Sequence, residues 1–456
     1  MNALMTACDT MRNYGLPCSL TGALMALAGV DGVEVLVNGP SSCTGFATGI
    51  LDGCHPAKVR NAMGFSRLSA DGHPRIPCSE ITDADVILGI SEKLTEAVEK
   101  LDAKRACDCT AIVNSCSLSL IGEDVANIMQ DYAAADRIFY LESTGCGKSV
   151  ANGYTEAMIQ LIDRVSQPHE PSDSASVNIL GFCIGQYSWK HDLREIRRLM
   201  NLAGIQVNAV LSARCTLDDI RQLPAAALNV VINPEYGLEI AGFLGKRFGT
   251  PFITPPHMPI GFDATRQLMD DVLAHFNLAA PAALIQEEAY YRREAVLALS
   301  HASRTEYIRG LPVAVFGEWD FAVGLARFLK DYLGCDPVIL GIQGHETEDQ
   351  RASETIDGSL FPSTEIMLNP DADQVMATID EKKPVILFGS SFEEFILTNI
   401  TYSPKYFIQT TTPGLNCANL IYRPTIGFAG ALTFIESILD QPLTARYPYS
   451  MEEISP

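Results

Sequence analysis

Residues 110–124 read TAIVNSCSLSLIGED: a short β-branched run, a turn, then a helical pattern, with Cys116 at the junction. Parallel strands cannot be joined by a tight turn and need a crossover, so a strand run leading straight into a helix is the building step of a parallel sheet. The step recurs along the chain. VEVLVNGP, DVILGI, TAIVNS and RIFYL make a first group of strand-like runs, VNILGF, VNAVL, LNVVINP and TPFITPP a second, and LPVAVFG, PVILGI, VILFGSS and KYFIQ a third. Three groups of four predict an α/β fold of three doubly wound, Rossmann-like domains with mainly parallel sheets. The polar stretch SQPHEPSDSAS at 166–176 reads as a linker, and QEEAYYRREAVLALSHASRTEYI as a helical connection. The expected domains are 1–170, with the candidate site cysteines, then 171–280, then the helical connection and third domain at 281–456.

The chain has 456 residues, 47% hydrophobic and 19% charged, which suits globular folding nearly throughout. Its formal charge of -22, with no basic patch in sight, argues against nucleic acid and anionic lipid as partners. Apolar stretches such as SLTGALMALAGV are too short or Gly-broken to span a bilayer, and MNALMTACDTMRNYG lacks a charged-then-apolar leader. A cytoplasmic protein without membrane contact is the expectation. Its 13 cysteines are then reduced, and most of them serve as small buried hydrophobes.

The loop ESTGCGKS at 142–149 lies between a strand-like run and a helical one, as a phosphate-binding loop does. Glu142 stands where such a loop needs its first Gly, and its carboxylate would face the anion. The stretch reads as an ordinary glycine-rich connection.

Cys18 in PCSLTGALMALAG, Cys43 in NGPSSCTGFATGILDG and Cys116 each lie at or just before the first turn of a probable helix, two of them directly after a strand. Loops at the carboxyl ends of parallel strands gather where ligands bind, so the three thiols can converge there. A helix start would lower a thiol's pKa and favour an anionic cluster. Three thiolates are one short of the usual four for an iron–sulfur cube, and three buried structural cysteines are the competing reading. Cys183 reads as a packed small residue, and Cys107 and Cys109 as one face of a strand. Cys54 beside His55 lacks ligand spacing, Cys78 precedes a strand near the same sheet end, and the eight histidines show no H-x-x-x-H pattern.

The order Cys-x-x-x-Gly-Ala, strand into Gly-Pro-x-x-Cys, then strand into Ser-Cys-x-x-x-x-Ile-Gly-Glu-Asp resembles the nitrogenase component 1 superfamily over nearly the whole chain. ALNVVINPEYGLEIAGFL, TPFITPPHMPIGFDATRQLM, VFGEWDFAVGLARFLKDYLGCDPVILG, FGSSFEEFI and RPTIGFAGALTFIESIL resemble its β-type chain more than its α-type. The resemblance implies that Cys18, Cys43 and Cys116 hold part of an interfacial iron–sulfur cluster, a [4Fe-4S] or larger P-cluster-like group shared with a homologous α-type subunit in an α2β2 assembly. It also implies an ATP-dependent iron–sulfur reductase that feeds electrons to that cluster, with a cofactor-assembly scaffold as the alternative role. Asn233 stands at or beside the α-type chain's cofactor cysteine and RPTIGFAGALTF offers no His, so no catalytic cofactor is expected through those ligands. The same resemblance implies that Ser143 and Cys146 fall in a loop beside the cluster, with neither expected as a ligand.

Overall fold

The computed structural model describes residues 18–45, 76–103, 108–122, 124–130, 137–141, 148–169, 174–300, 306–344, 361–400, 402–414 and 419–441. Helix α1 (Ser19–Ala28) leads into β1 (Val30–Asp31) and β2 (Val33–Asn38); α2 (Asp83–Leu88), α3 (Ser91–Asp102), β3 (Cys109–Asn114), α4 (Cys116–Ile121), β4 (Ile138–Leu141) and α5 (Val150–Val165) follow. The second stretch contains β5 (Ser176–Leu180), α6 (Trp189–Leu202), β6 (Gln206–Val210), β7 (Cys215–Thr216), β8 (Leu228–Val231), α7 (Pro234–Phe248), β9 (Phe252–Ile253) and α8 (Phe262–His275). Helix α9 (Ala282–Leu299) connects to β10 (Pro312–Gly317), α10 (Trp319–Arg327), β11 (Asp336–Ile342), β12 (Glu365–Leu368), α11 (Ala372–Lys382), β13 (Ile386–Gly389), α12 (Ser391–Ile396), β14 (Tyr406–Gln409) and α13 (Gly427–Leu439). The sheets run β2-β3-β4, β6-β5-β8-β9 and β12-β11-β10-β13-β14. Every strand ladder among the described residues is parallel, as an α/β fold requires.

Side chains alternate across a strand, and here the alternation sorts residues into separate cores. Val35, Val37, Ala111 and Val113 face one continuous apolar cluster that extends from Leu20 to Ile438 through all three sheets. Leu36 and Ile112 face the opposite way, onto Leu94 and Val98 of α3. In the third sheet Val313 and Val315 join the common core, while Ala314 and Phe316 pack on Val375 and Ile379 of α11. Both faces are therefore covered, which is why these strands read as nearly unbroken apolar runs.

Two polar joints fix the sheets to one another. β1 pairs with β7, Val30 opposite Cys215, and Ser212 donates its hydroxyl to the Ala26 carbonyl at 2.8 Å. The fully buried Glu195 on α6 accepts from Arg198 at 2.8 and 2.9 Å, from Tyr422 at 2.5 Å and from the Ala429 amide at 3.1 Å, holding the start of α13.

Two expectations need correction. DVILGI is no strand: Thr82 and Asp85 form a capping box that starts α2, and the strand-like pairing falls on the segment before it. Cys78 bridges Val37 in parallel, with Ser79 N–H to Val37 O and Ile81 N–H to Gly39 O both at 3.0 Å. The third sheet also has a fifth strand, β12, a four-residue edge strand whose residues are half-buried or exposed.

Candidate metal centre

The carboxyl ends of β2 and β3 are tied side by side by a chain of polar groups. In register, Asn38 lies opposite Asn114. Asn38 Nδ2 donates to Asn114 Oδ1 at 2.9 Å, Asn114 Nδ2 to the Tyr140 hydroxyl at 2.8 Å, and Ser79 Oγ to Asn38 Oδ1 at 2.8 Å. The Gly39 amide completes the tie by donating to Ser79 Oγ at 3.0 Å. Both asparagines are buried, and a buried polar group that keeps its partners fixes its neighbours firmly. What it fixes is a set of turns bearing cysteine.

Cys43 lies in the helical turn at 41–45 directly after β2, its amide donating to Pro40 O at 3.2 Å. Cys116 opens α4 directly after β3, with Ser115 as the N-cap. Gly39 packs so tightly on Ser115 that a Cβ there would stand 2.5 Å from the serine hydroxyl oxygen, which keeps the two turns together. Cys18 is the N-cap of α1, in extended conformation and without a side-chain capping bond. α1 is pressed on α5 at a pair of glycines: a Cβ on Gly22 would meet Val150 O at 1.9 Å, and one on Gly153 would meet Ser19 O at 1.9 Å.

Electrostatics places the thiols in one neighbourhood. Burial pushes the Cys43 thiol above its ordinary value, and the charges of Cys116, Cys18 and Cys78 push it the same way, with a smaller opposing hydrogen bond from Ser42. For Cys43 this is the opposite of the lowering expected from a helix start. The group also includes Cys78, to which the sequence alone attaches no role. Exposure divides the described cysteines the same way: Cys18, Cys43, Cys78 and Cys116 are half-buried, whereas Cys109, Cys183, Cys215 and Cys335 are buried. Burial pushes Cys215 and Cys335 up to about 12, so they stay protonated and inert.

Among the described residues no three His, Cys, Asp or Glu side chains form a ready site for a single metal ion. The donors nevertheless fit an iron–sulfur cluster in kind: all are sulfur, they sit at a sheet's ligand-binding end, and as thiolates they would repel one another without a cationic group between them. The pair Cys54 and His55, together with Cys107, Cys146 and Ser143, lies outside the described residues. Of the 142–149 loop only the end is described. Lys148 is ion-paired with Glu156, and Ser149 caps α5 by accepting from Asn152 N–H at 3.2 Å. Asn233 caps α7, accepting from the Glu235 amide at 3.1 Å, and Cys183 packs in the core.

A second feature has no counterpart in the sequence reading. A cleft partly open to solvent lies where the three sheets meet, with Met25, Tyr187, Asp192, Glu318, Phe321 and Thr411 among its walls. Burial pushes Asp192 up to about 7 even though the Thr425 amide and hydroxyl donate to it at 2.5 and 2.8 Å. Glu318, which accepts from the Tyr236 hydroxyl, is likewise pushed up to about 7 by burial. Glu318 directly follows β10, and a carboxylate at that strand end was the available signal.

No described helix is long and apolar enough to cross a membrane. Among solved structures, one titled "Nitrogenase Cp1 at pH 6.5" matches with a TM-score of 0.77 at 18% identity, covering 97% of this chain and 95% of the other, a likeness of fold. The B subunit of light-independent protochlorophyllide reductase from Zygnema circumcarinatum is 26% identical over 383 residues, covering 77% of this chain and 71% of the relative. The protein of the same name from Chloroflexus aurantiacus is 25% identical over 365 residues, covering 78% of this chain and 66% of the relative. The chain thus spans about two thirds of the length of these relatives. Residues 18–441, a span that takes in all three sheets and the four half-buried cysteines, match the family described as nitrogenase component 1 type oxidoreductase. On that match over nearly its whole length, the chain belongs to the nitrogenase component 1 type oxidoreductases.

Proposed function

We propose that this chain is the β-type subunit of a nitrogenase-like two-component oxidoreductase. In this role Cys18, Cys43 and Cys116 hold an iron–sulfur cluster at the boundary with a homologous α-type subunit, and a separate ATP-dependent iron–sulfur reductase serves the complex. The observation that carries the reading is the gathering of half-buried thiols at the carboxyl end of the first sheet, in a chain that matches the family from residue 18 onward. When bound, such a cluster supplies one-electron transfer. The chain's own part is to keep the sulfurs in place through the Asn38–Asn114–Tyr140 tie and to shield them from water with the buried face of α1.

Support for a partner comes from α2, which follows Cys78 closely in the chain. Ile87 and Leu88 at its end are 84% and 85% exposed in the isolated chain, an arrangement suited to burial against another subunit. The name of the relatives sets the first substrate class to examine, a cyclic tetrapyrrole such as protochlorophyllide. Neutral carboxyl groups at Asp192 and Glu318 would give the three-sheet cleft hydrogen-bond donors toward a polar ligand.

The complex, purified anaerobically with its partner chain, should reduce substrate only when the reductase and ATP are supplied. Transfer of the cluster to an acceptor protein without any reductase-dependent turnover would instead establish the scaffold role.

A further inference from the structure

The resemblance that assigns Cys18, Cys43 and Cys116 leaves Cys78 without a part, yet the fold brings it to the same place. Its segment is joined to the end of β2 by three backbone bonds: Val37 N–H to Pro77 O, Ser79 N–H to Val37 O and Ile81 N–H to Gly39 O, each at 3.0 Å. This sets the Cys78 sulfur 3.1 Å from Gly39 O, on the turn that leads to Cys43 and packs on Ser115 beside Cys116. The site therefore draws on three segments: the β2 turn, the β3 turn and the strand-like edge at 77–81.

Exposure sets Cys78 apart from the structural cysteines: it is half-buried where Cys109, Cys183, Cys215 and Cys335 are buried. Its sulfur accepts the Glu80 amide at 3.4 Å, with Glu80 at a left-handed φ of 54°, as the buried Cys183 and Cys215 accept the amides of Gly185 and Ser212. Amide donation to sulfur favours the thiolate and is a recognised control on iron–sulfur sites.

We propose that Cys78 is a fourth sulfur ligand at this centre, so that one chain supplies all four thiolates a cubane iron–sulfur cluster takes. The proposal rests on the reading of Cys18, Cys43 and Cys116 as cluster ligands. Each thiol releases its proton to solvent as it binds iron, and Cys78 gives up its bond to Gly39 O. No oxidant or reductant is needed for the ligation itself. It follows that this chain can retain a cluster without sulfur from a partner subunit.

The full chain, purified anaerobically without a partner, is loaded with equal amounts of ferrous and ferric iron and with sulfide, and compared with Cys78→Ser and Cys78→Ala. Cys335→Ser serves as the control for a buried thiol. The wild type and the control are expected to hold about four iron and four sulfide per chain. The Cys78 variants are expected to keep less than half of that, and to show altered electron paramagnetic resonance when coexpressed with a partner. Alkylation of loaded wild-type protein tests the same point with no substitution: Cys78 should be protected with the other three and react once iron is chelated.

Full iron content and an unchanged spectrum in both Cys78 variants, or free alkylation of Cys78 in loaded protein, overturns the fourth ligand. If Cys18→Ala, Cys43→Ala and Cys116→Ala also keep their iron, the underlying site reading fails with it. Loss of iron in those three alone overturns only the role of Cys78.

Discussion

Asn114 shows how a single side chain acts at the site without touching iron. It accepts from Asn38 and donates to Tyr140, joining three strand ends beneath the cysteine turns. Replacing it with Ala leaves a buried amide and a hydroxyl short of partners, which costs about 1–3 kcal/mol. Asn114→Ala should lower the melting temperature and reduce iron retention, whereas Asn114→Asp, which can still accept from Asn38, should keep more of both. Asp192 provides a separate test on pH. Its folded pKa of about 7 lies above the ordinary carboxylate value of 3.8, so its stabilising contribution is complete below about pH 4 and lost as pH rises toward 7. Over that window stability should fall by about 1.4 kcal/mol per pH unit from this group alone. Thermal melts of Asp192→Asn at about pH 5 and pH 7 should show a smaller difference than the wild type; equal differences would place the titration elsewhere.

At the scale of elements, the crossing of α1 and α5 is set by two glycines. Gly22→Ala or Gly153→Ala would force a Cβ into a backbone carbonyl, and overpacking of this kind costs about 1–3 kcal/mol or more. Either variant should melt lower and displace Cys18, with a fall in bound iron that Gly242→Ala, at a position with open space around it, should not reproduce. The same scale shows where sequence patterning succeeds and where it fails. β3 is legible because Ala111, Ile112 and Val113 are all buried and the turn after them carries a distinctive Ser-Cys. DVILGI misleads because an apolar run ordinarily signifies burial within its own chain, while Ile87 and Leu88 are exposed on a capped helix. β12 escapes detection because its apolar run, Ile366 to Leu368, is only three residues long, too short for a periodic pattern.

For the molecule as a whole, the common core running from Leu20 to Ile438 makes the three sheets one packed body, with Glu195 and the β1–β7 pair as its polar joints. The gathering of Cys18, Cys43 and Cys116 is legible because each follows a strand or opens a helix, and parallel topology sends such positions to one end. Cys78 is expected near the same sheet end as the residue before a supposed strand, but DVILGI is a helix, and Cys78 comes there by pairing with Val37 of β2, which no local pattern records. The three-sheet cleft is invisible because Met25, Asp192 and Glu318, which line it, lie far apart in the chain beside different sheets. If α2 marks a subunit boundary, the double variant Ile87→Glu, Leu88→Glu should melt within about 0.5 kcal/mol of the wild type, since exposed positions tolerate charge. It should nevertheless bind its partner at least tenfold more weakly in sedimentation or pull-down titration, and undiminished binding would move the boundary elsewhere.

The central claim is that these half-buried thiols grip iron. Iron and sulfide content with low-temperature electron paramagnetic resonance, measured on the anaerobically coexpressed complex, tests it most directly. The wild type should carry iron and inorganic sulfide with a paramagnetic signal on reduction, and the triple variant Cys18→Ala, Cys43→Ala, Cys116→Ala should lose this chain's share of all three. A triple variant with undiminished iron, sulfide and signal would contradict it.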